Sequence, residues 1–166
     1  MPRPRSMSLT CGWRTGGGAR ISAAEIAATL ERRRAIELAL RAIAPGVSLA
    51  GTGKLVPWQP LGQLFDAFAD IRGIGLSKMT KALHPKRPAL VPMLDRVVET
   101  YLAHDDLGAD AQFGERALAL VRGYKRDLDL NRGALRATRR ELERRGHDLT
   151  EVRIFDLLIW SARVAG

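Results

Sequence analysis

Residues 71–79 decide how the chain folds, and they read Ile71-Arg72-Gly73-Ile74-Gly75-Leu76-Ser77-Lys78-Met79. The Gly-Ile-Gly triplet interrupts a helix, because glycine destabilises helices and accepts the positive φ angles of tight turns. Apolar residues at helical spacing stand on both sides of the triplet, namely Leu61, Leu64, Phe65 and Phe68 before it and Leu76, Met79 and Leu83 after it. The pattern predicts a helix-hairpin-helix over residues 61–84, which Pro85 ends.

The rest of the chain predicts further helices and no strand. Ser22 and Glu25 have the spacing of a capping box, so a helix begins there and runs to about Ile43. Its apolar pattern slips near residues 31–34, where we expect the helix to bend or split. The last segment, residues 150–160, is apolar nearly all round, which indicates a buried helix. The other predicted helices cover residues 94–102, 113–128 and 133–145, and Gly146 caps the last of these three.

These elements indicate an all-α protein of six to eight helices with the helix-hairpin-helix at its centre. We expect residues 21–166 to form a single helical domain. Residues 1–20 contain two prolines and a Gly16-Gly17-Gly18 run without apolar periodicity, so they are expected to be a disordered tail. Residues 46–60 are predicted to be a loop, and Gly51-Thr52-Gly53-Lys54 within it lacks the spacing of a phosphate-binding loop.

The composition narrows the class of protein. Apolar residues make up 46% of the 166 residues and aromatic residues only 5%, so the core rests on aliphatic side chains, which suit helices. No apolar run approaches the roughly 20 residues of a membrane span, and the N-terminus lacks the apolar core of a signal peptide, so we expect a cytoplasmic protein. The single Cys11 and three scattered histidines predict neither a disulfide nor a metal site, and no cofactor is expected.

The net charge of +9 favours a polyanion as partner, although a codon bias towards arginine would also produce it. No acidic residue stands between Ile71 and Leu94. The second helix of the hairpin begins right after the glycines, so its free N–H groups and the positive end of its dipole point outwards and can hold a phosphate. The basic residues around this point are Arg72, Lys78, Lys81, Lys86 and Arg87.

This part of the chain therefore predicts a site for DNA. The backbone and hydroxyl groups that would contact one phosphate belong to Gly73, Ile74, Gly75 and Ser77. The side chains that would add positive charge are Lys78, Lys81, Lys86 and Arg87.

The glycines and a later carboxylate resemble a known superfamily. Gly73-Ile74-Gly75 is followed, twenty residues after Gly75, by Asp95 at the end of an apolar stretch that contains Pro92. This arrangement resembles the helix-hairpin-helix DNA glycosylases of base-excision repair, over roughly residues 61–103. The resemblance implies that the hairpin grips the DNA backbone and that Asp95 is catalytic. Bifunctional members carry a lysine where this chain has Ser77, so the resemblance implies a monofunctional glycosylase without lyase activity.

More of the chain, most of residues 22–163, is similar to an uncharacterised bacterial family that is common in actinobacteria and classed as a domain of unknown function. One similar segment is a Lys-Arg-Pro-x-Leu-x-Pro-x-x-Asp stretch at residues 86–95. The other two are the Gly-Ile-Gly hairpin at residues 73–75 and the final helix with Arg153, Asp156 and Trp160. This family brings no known activity with it.

Several residues have a structural interpretation beside the functional one. Asp95 stands where a helix begins, so it can be an N-cap as well as a catalytic group. Arg153 and Asp156, three residues apart on one helix, can form an ion pair. A run of arginines can form a second phosphate-binding strip or a solvated helix face, and its members are Arg132, Arg136, Arg139, Arg140, Arg144 and Arg145.

Three functions agree with the sequence. The first is DNA binding to the phosphate backbone without strong sequence specificity, which should weaken steeply as salt rises. The second is a glycosylase-like repair enzyme that uses Asp95. The third is a non-catalytic protein-interaction or regulatory domain on a glycosylase-like scaffold. A deep pocket at Asp95 would favour the enzyme, a flat basic hairpin surface would favour DNA binding, and a hairpin covered by Trp58 or by the charged helix would favour the third function.

Overall fold

The computed structural model describes residues 21–51 and 55–164, and within these ranges it contains helices and no strand. The predicted all-α class is therefore confirmed. The predicted tail, with Cys11, and residues 52–54 of the glycine-rich loop lie outside the described residues. The α-helices are α1 (Ala23–Glu31), α2 (Arg33–Arg41), α3 (Trp58–Asp66), α4 (Leu76–Leu83), α5 (Arg96–Tyr101), α6 (Phe113–Leu130), α7 (Arg132–Arg144) and α8 (Glu151–Val164).

The first predicted helix is split into α1 and α2, as its slipped apolar pattern indicated. The break lies at Arg32, whose φ of −88° and ψ of 1° leave the helical region. The capping box that begins α1 is present: the Ser22 hydroxyl accepts from the Glu25 N–H at 3.2 Å, and Glu25 Oε2 accepts from the Ser22 N–H at 2.9 Å. Glu25 thus has a structural role at the start of α1.

The predicted hairpin helices are present as α3 and α4, and residues 67–75 connect them. Helix α3 begins at Trp58, earlier than the predicted Leu61, so the predicted loop over residues 46–60 was too long. Pro57 is the N-cap and Pro60 lies in the first turn, where a helix needs no N–H donor. Helix α4 ends at Leu83, two residues before Pro85, as predicted. The assignment of this unit as a helix-hairpin-helix stays a prediction.

The core lies where α3 packs along α6, which is the most extensive helix pair in the described structure. Leu61, Leu64 and Phe65 of α3 are completely buried, and so are Leu120 and Tyr124 of α6. Helix α8 closes the other side of the core by packing on α5 and α7. The same packing brings α4 and the turn before it to the surface beside α1.

The sequence predicted the end of α7 correctly and the burial of α8 only in part. Gly146 adopts a φ of +84° after α7, and its N–H donates to Glu143 O at 3.0 Å, while the His147 N–H donates to Leu142 O at 2.9 Å. These two bonds form the predicted glycine cap. The expectation of a buried α8 holds for only one side of the helix, the side that packs on its neighbours. Exposed fractions of α8 side chains are 42% for Leu157, 50% for Leu158 and 40% for Trp160.

None of the described helices combines the length and the apolar character that a membrane crossing requires.

Candidate nucleic-acid interface

The segment Arg72–Gly75, which we call the glycine turn, exposes its backbone because two isoleucines anchor it. Ile71 and Ile74 are buried in the core, whereas Arg72, Gly73 and Gly75 are exposed. The Ile74 N–H donates to Ile71 O at 3.0 Å and closes the turn. Gly73 adopts a φ of +84°, which side chains disfavour. Of the predicted contact residues, Ile74 can therefore offer only its backbone.

Helix α4 begins at the glycine turn without a side-chain cap. Gly75 is its N-cap residue, with an extended backbone, and no side chain of residues 21–51 or 55–164 accepts from the first N–H groups of the helix. A Cβ built on Gly75 would meet nothing within 4 Å. The start of α4 therefore has free donors, the positive end of a helix dipole and open space in front of it, which are the features that accommodate a phosphate.

Lys78, the lysine closest to the glycine turn, is already paired. Its Nζ donates to Glu25 Oε1 at 2.6 Å, and the side chains of Lys78 and Glu25 are only 18% and 15% exposed. The hydrogen bond from Lys78 lowers the pKa of Glu25. The same carboxylate lies against Gly73, where it would collide with any Cβ. The sequence between Ile71 and Leu94 contains no acid, but the fold brings one from α1, 53 residues away.

The other predicted basic residues lie towards the far end of α4. Lys81 is in the last turn of the helix, and Lys86 is exposed in the 3-10 turn that follows. A helix of this length spans about 12 Å, so these charges stand apart from the glycine turn. Arg87 has a structural role, because its guanidinium donates to Leu40 O at 3.3 Å and to Ile43 O at 3.4 Å, where α2 ends.

Asp95 is the N-cap of α5. Its Oδ1 accepts from the N–H groups of Val97 at 3.0 Å and Val98 at 3.2 Å. Its Oδ2 accepts from Trp160 Nε1 of α8 at 3.0 Å. The capping interpretation of Asp95 is thus confirmed, and a catalytic role would require Oδ2 to exchange Trp160 for a substrate. The bond to Trp160 joins residues 65 positions apart, so local sequence patterns could not reveal it.

A buried carboxylic acid, Asp156 of α8, supports the segment that precedes Asp95. Its Oδ2 accepts from the Met93 N–H at 3.4 Å, and its Oδ1 lies 3.0 Å from the Tyr124 hydroxyl. Burial raises the pKa of Asp156 to about 7. Arg153 and Asp156, both within the described residues, do not form the expected ion pair, because Asp156 points inwards to Tyr124 and Met93.

The arginines of the charged segment are largely neutralised by acids. Arg132 pairs with Asp129, Arg139 with Glu143 and Glu151, and both Arg144 and Arg145 with Glu141. Within the described part of the chain, Arg136 and Arg140 are exposed and form no ion pair. This pattern is typical of a solvated helix face.

Two cavities flank these elements, and Asp95 lines neither of them. The larger, of about 670 Å³, is an open cleft of mixed charge with Asp105, Glu115, Arg122 and Arg126 in its wall. Arg122 also stacks over Trp58 at 5.2 Å from the ring centre. The smaller, of about 130 Å³, is an apolar groove between α1 and α4, and it is lined by Ile21, Ile26, Leu30, Phe68, Ile74 and Ala82 among others.

Comparison with known proteins gives one match. The model of a family of unknown function, DUF6308, matches residues 19–163. No curated protein and no solved structure matches the chain. The earlier resemblance to an uncharacterised family is thereby supported, whereas no match supports the resemblance to DNA glycosylases.

Proposed function

The chain belongs to this family of unknown function, and we propose that it is a DNA-binding protein that holds the phosphate backbone at the glycine turn. The observation that carries the proposal is the uncapped start of α4, which faces open space at Gly75. A phosphate oxygen there would accept from backbone N–H groups in a field that favours negative charge.

Charge around the turn supports the same proposal. Arg72 is exposed within the glycine turn, and Lys78, which is paired with Glu25, follows in the first turn of α4. Lys81 and Lys86 continue the basic surface along the helix, so that a second phosphate of the same strand has a partner. The backbone N–H groups of the glycine turn recognise phosphate and carry no sequence information, so we propose binding without strong sequence specificity.

The two alternative functions have less support. A glycosylase-like activity would use Asp95, but both oxygens of Asp95 accept hydrogen bonds from the protein itself. A protein-interaction domain would be favoured if Trp58 or α7 covered the glycine turn. Trp58 instead stacks with Arg122, and among the described residues the carboxylate of Glu25 from α1 lies against Gly73.

The proposal is tested by Gly75→Asp, with Gly133→Asp as the matched control. Both glycines stand at the start of an α-helix, and a Cβ at either position meets nothing within 4 Å. Either substitution should therefore leave the fold intact, which circular dichroism checks. Gly73 is unsuitable for this purpose, because its φ of +84° would strain any side chain.

Fluorescence anisotropy with a labelled DNA duplex at low salt measures the result. We expect Gly75→Asp to weaken binding by about tenfold or more, since its carboxylate caps α4 and repels phosphate. Gly133→Asp adds the same charge elsewhere and should stay within about twofold of wild type, the change expected when no phosphate contact is lost. Equal losses in both variants would mean that only net charge matters and would contradict the site.

A further inference from the structure

Glu25 lies beside the glycine turn, against Gly73 and Lys78, whereas the space in front of Gly75 is open among the described residues. Its carboxylate binds Lys78 and lies against the Cα side of Gly73. A carboxylate on these partners has the charge and the hydrogen-bond acceptors of a phosphate oxygen pair. The chain thus carries its own anion beside the surface that the proposed function assigns to DNA.

Helix α1, which carries Glu25, is held loosely. None of its residues is buried, and Ile26 and Leu30 are 50% and 60% exposed. The described residues leave an apolar groove of about 130 Å³ between α1 and α4. An ion pair between Arg32 and Asp70 at 3.6 Å also links this region to the connection before the turn, and it is largely exposed. Few contacts therefore oppose a displacement of Glu25.

We propose that Glu25 is an autoinhibitory group, an internal substitute for phosphate that DNA must displace from Lys78. The inference rests on the proposed function, because it concerns the occupancy of the same surface. While Glu25 is in place, Lys78 contributes no net charge to DNA. When DNA displaces Glu25, Lys78 becomes a phosphate contact. Helix α1 then either stays in place with its capping box or moves away together with Glu25.

The test is the DNA affinity of Glu25→Gln, because glutamine preserves the capping box with Ser22 while removing the charge. We expect this variant to bind a labelled duplex about three- to tenfold more tightly than wild type at low salt, as one cation is released for a phosphate. The slope of log affinity against log salt should become steeper by about 0.9 for the same reason.

Two further variants separate competition from a structural effect. Lys78→Gln breaks the same ion pair from the other side, so any loss of fold stability should be similar, but binding should become weaker instead of tighter. Glu31→Gln removes an exposed acid from the same helix without touching Lys78, and we expect it to bind like wild type. Thermal unfolding followed by circular dichroism checks the fold of all three.

Opposite changes in Glu25→Gln and Lys78→Gln would support autoinhibition. Changes in the same direction, or a Glu25→Gln variant identical to wild type, would overturn it. If autoinhibition is overturned in this way but wild type binds DNA and Gly75→Asp does not, the proposed function is still supported. If neither wild type nor Glu25→Gln binds at low salt, both the inference and the proposed function are wrong.

Discussion

At the scale of single residues, the contact between Tyr124 and Asp156 depends on a proton. The Tyr124 hydroxyl lies 2.7 Å from Val152 O and 3.0 Å from Asp156 Oδ1, and its one proton can satisfy only one of these acceptors. The hydroxyl can donate to either acceptor. Burial raises the pKa of Asp156 to about 7, and a hydrogen bond donated by Tyr124 opposes that rise.

This arrangement predicts that stability falls as pH rises. The pKa of Asp156 is raised by folding from its ordinary 3.8 to about 7, so its contribution is complete below pH 3.8 and is lost as pH rises through 7. Between pH 5 and pH 8 we expect the contribution of Asp156 to the free energy of unfolding to drop by about 3 kcal/mol, since each pH unit between the two pKa values is worth about 1.4 kcal/mol. Urea unfolding at both pH values measures the drop.

The control for this prediction is Asp156→Asn, which cannot titrate. Burial lowers the pKa of His84, which shifts stability the opposite way over part of the same range, so the wild-type curve alone mixes two effects. The difference between wild type and Asp156→Asn isolates the carboxylic acid. A constant difference from pH 5 to pH 8 would mean that Asp156 is charged in the folded protein throughout.

At the scale of elements, Asp95 joins α5 to α8. Its Oδ1 caps α5 and its Oδ2 accepts from Trp160. We expect Asp95→Ala to lower the free energy of unfolding by about 1–2 kcal/mol, because an N-cap and a second hydrogen bond are lost. Asp95→Asn keeps a capping oxygen and should cost less than half as much, about 0.5 kcal/mol. Urea unfolding measures both, and an Asp95→Ala variant as stable as wild type would contradict the capping role.

The elements also show which features the sequence could predict. The start of α1 and the end of α7 depend on hydrogen bonds between residues only a few positions apart, which involve Ser22, Glu25 and Gly146. A short stretch of sequence is therefore enough to predict them. The predicted start of α3 lay three residues too late, because Pro57 and Pro60 are typical of loops. The exposed side of α8 could not be predicted, since its composition is apolar on all sides and only its packing partners decide which side is buried.

At the scale of the whole molecule, the fold redistributes the charge that the sequence shows. The chain has a net charge of +9, but most arginines of α7 pair with acids and Arg87 is bound to the end of α2. The basic cluster around the glycines is divided along α4, and Glu25 arrives from α1. A prediction made from one segment of sequence cannot include contacts from distant segments. The sequence therefore predicted the glycine turn and its basic neighbours, but not Glu25, which pairs with Lys78.

The most direct test of the phosphate site is the salt dependence of wild-type binding to two DNA duplexes of unrelated sequence, measured by fluorescence anisotropy. We expect a linear fall of log affinity with log salt, with a slope of about −2 to −4 for two to four phosphate contacts, and the same slope for both duplexes. Absence of binding at about 50 mM salt, where contacts of this kind are strong, would contradict DNA binding altogether. Binding that does not change with salt would contradict a phosphate site.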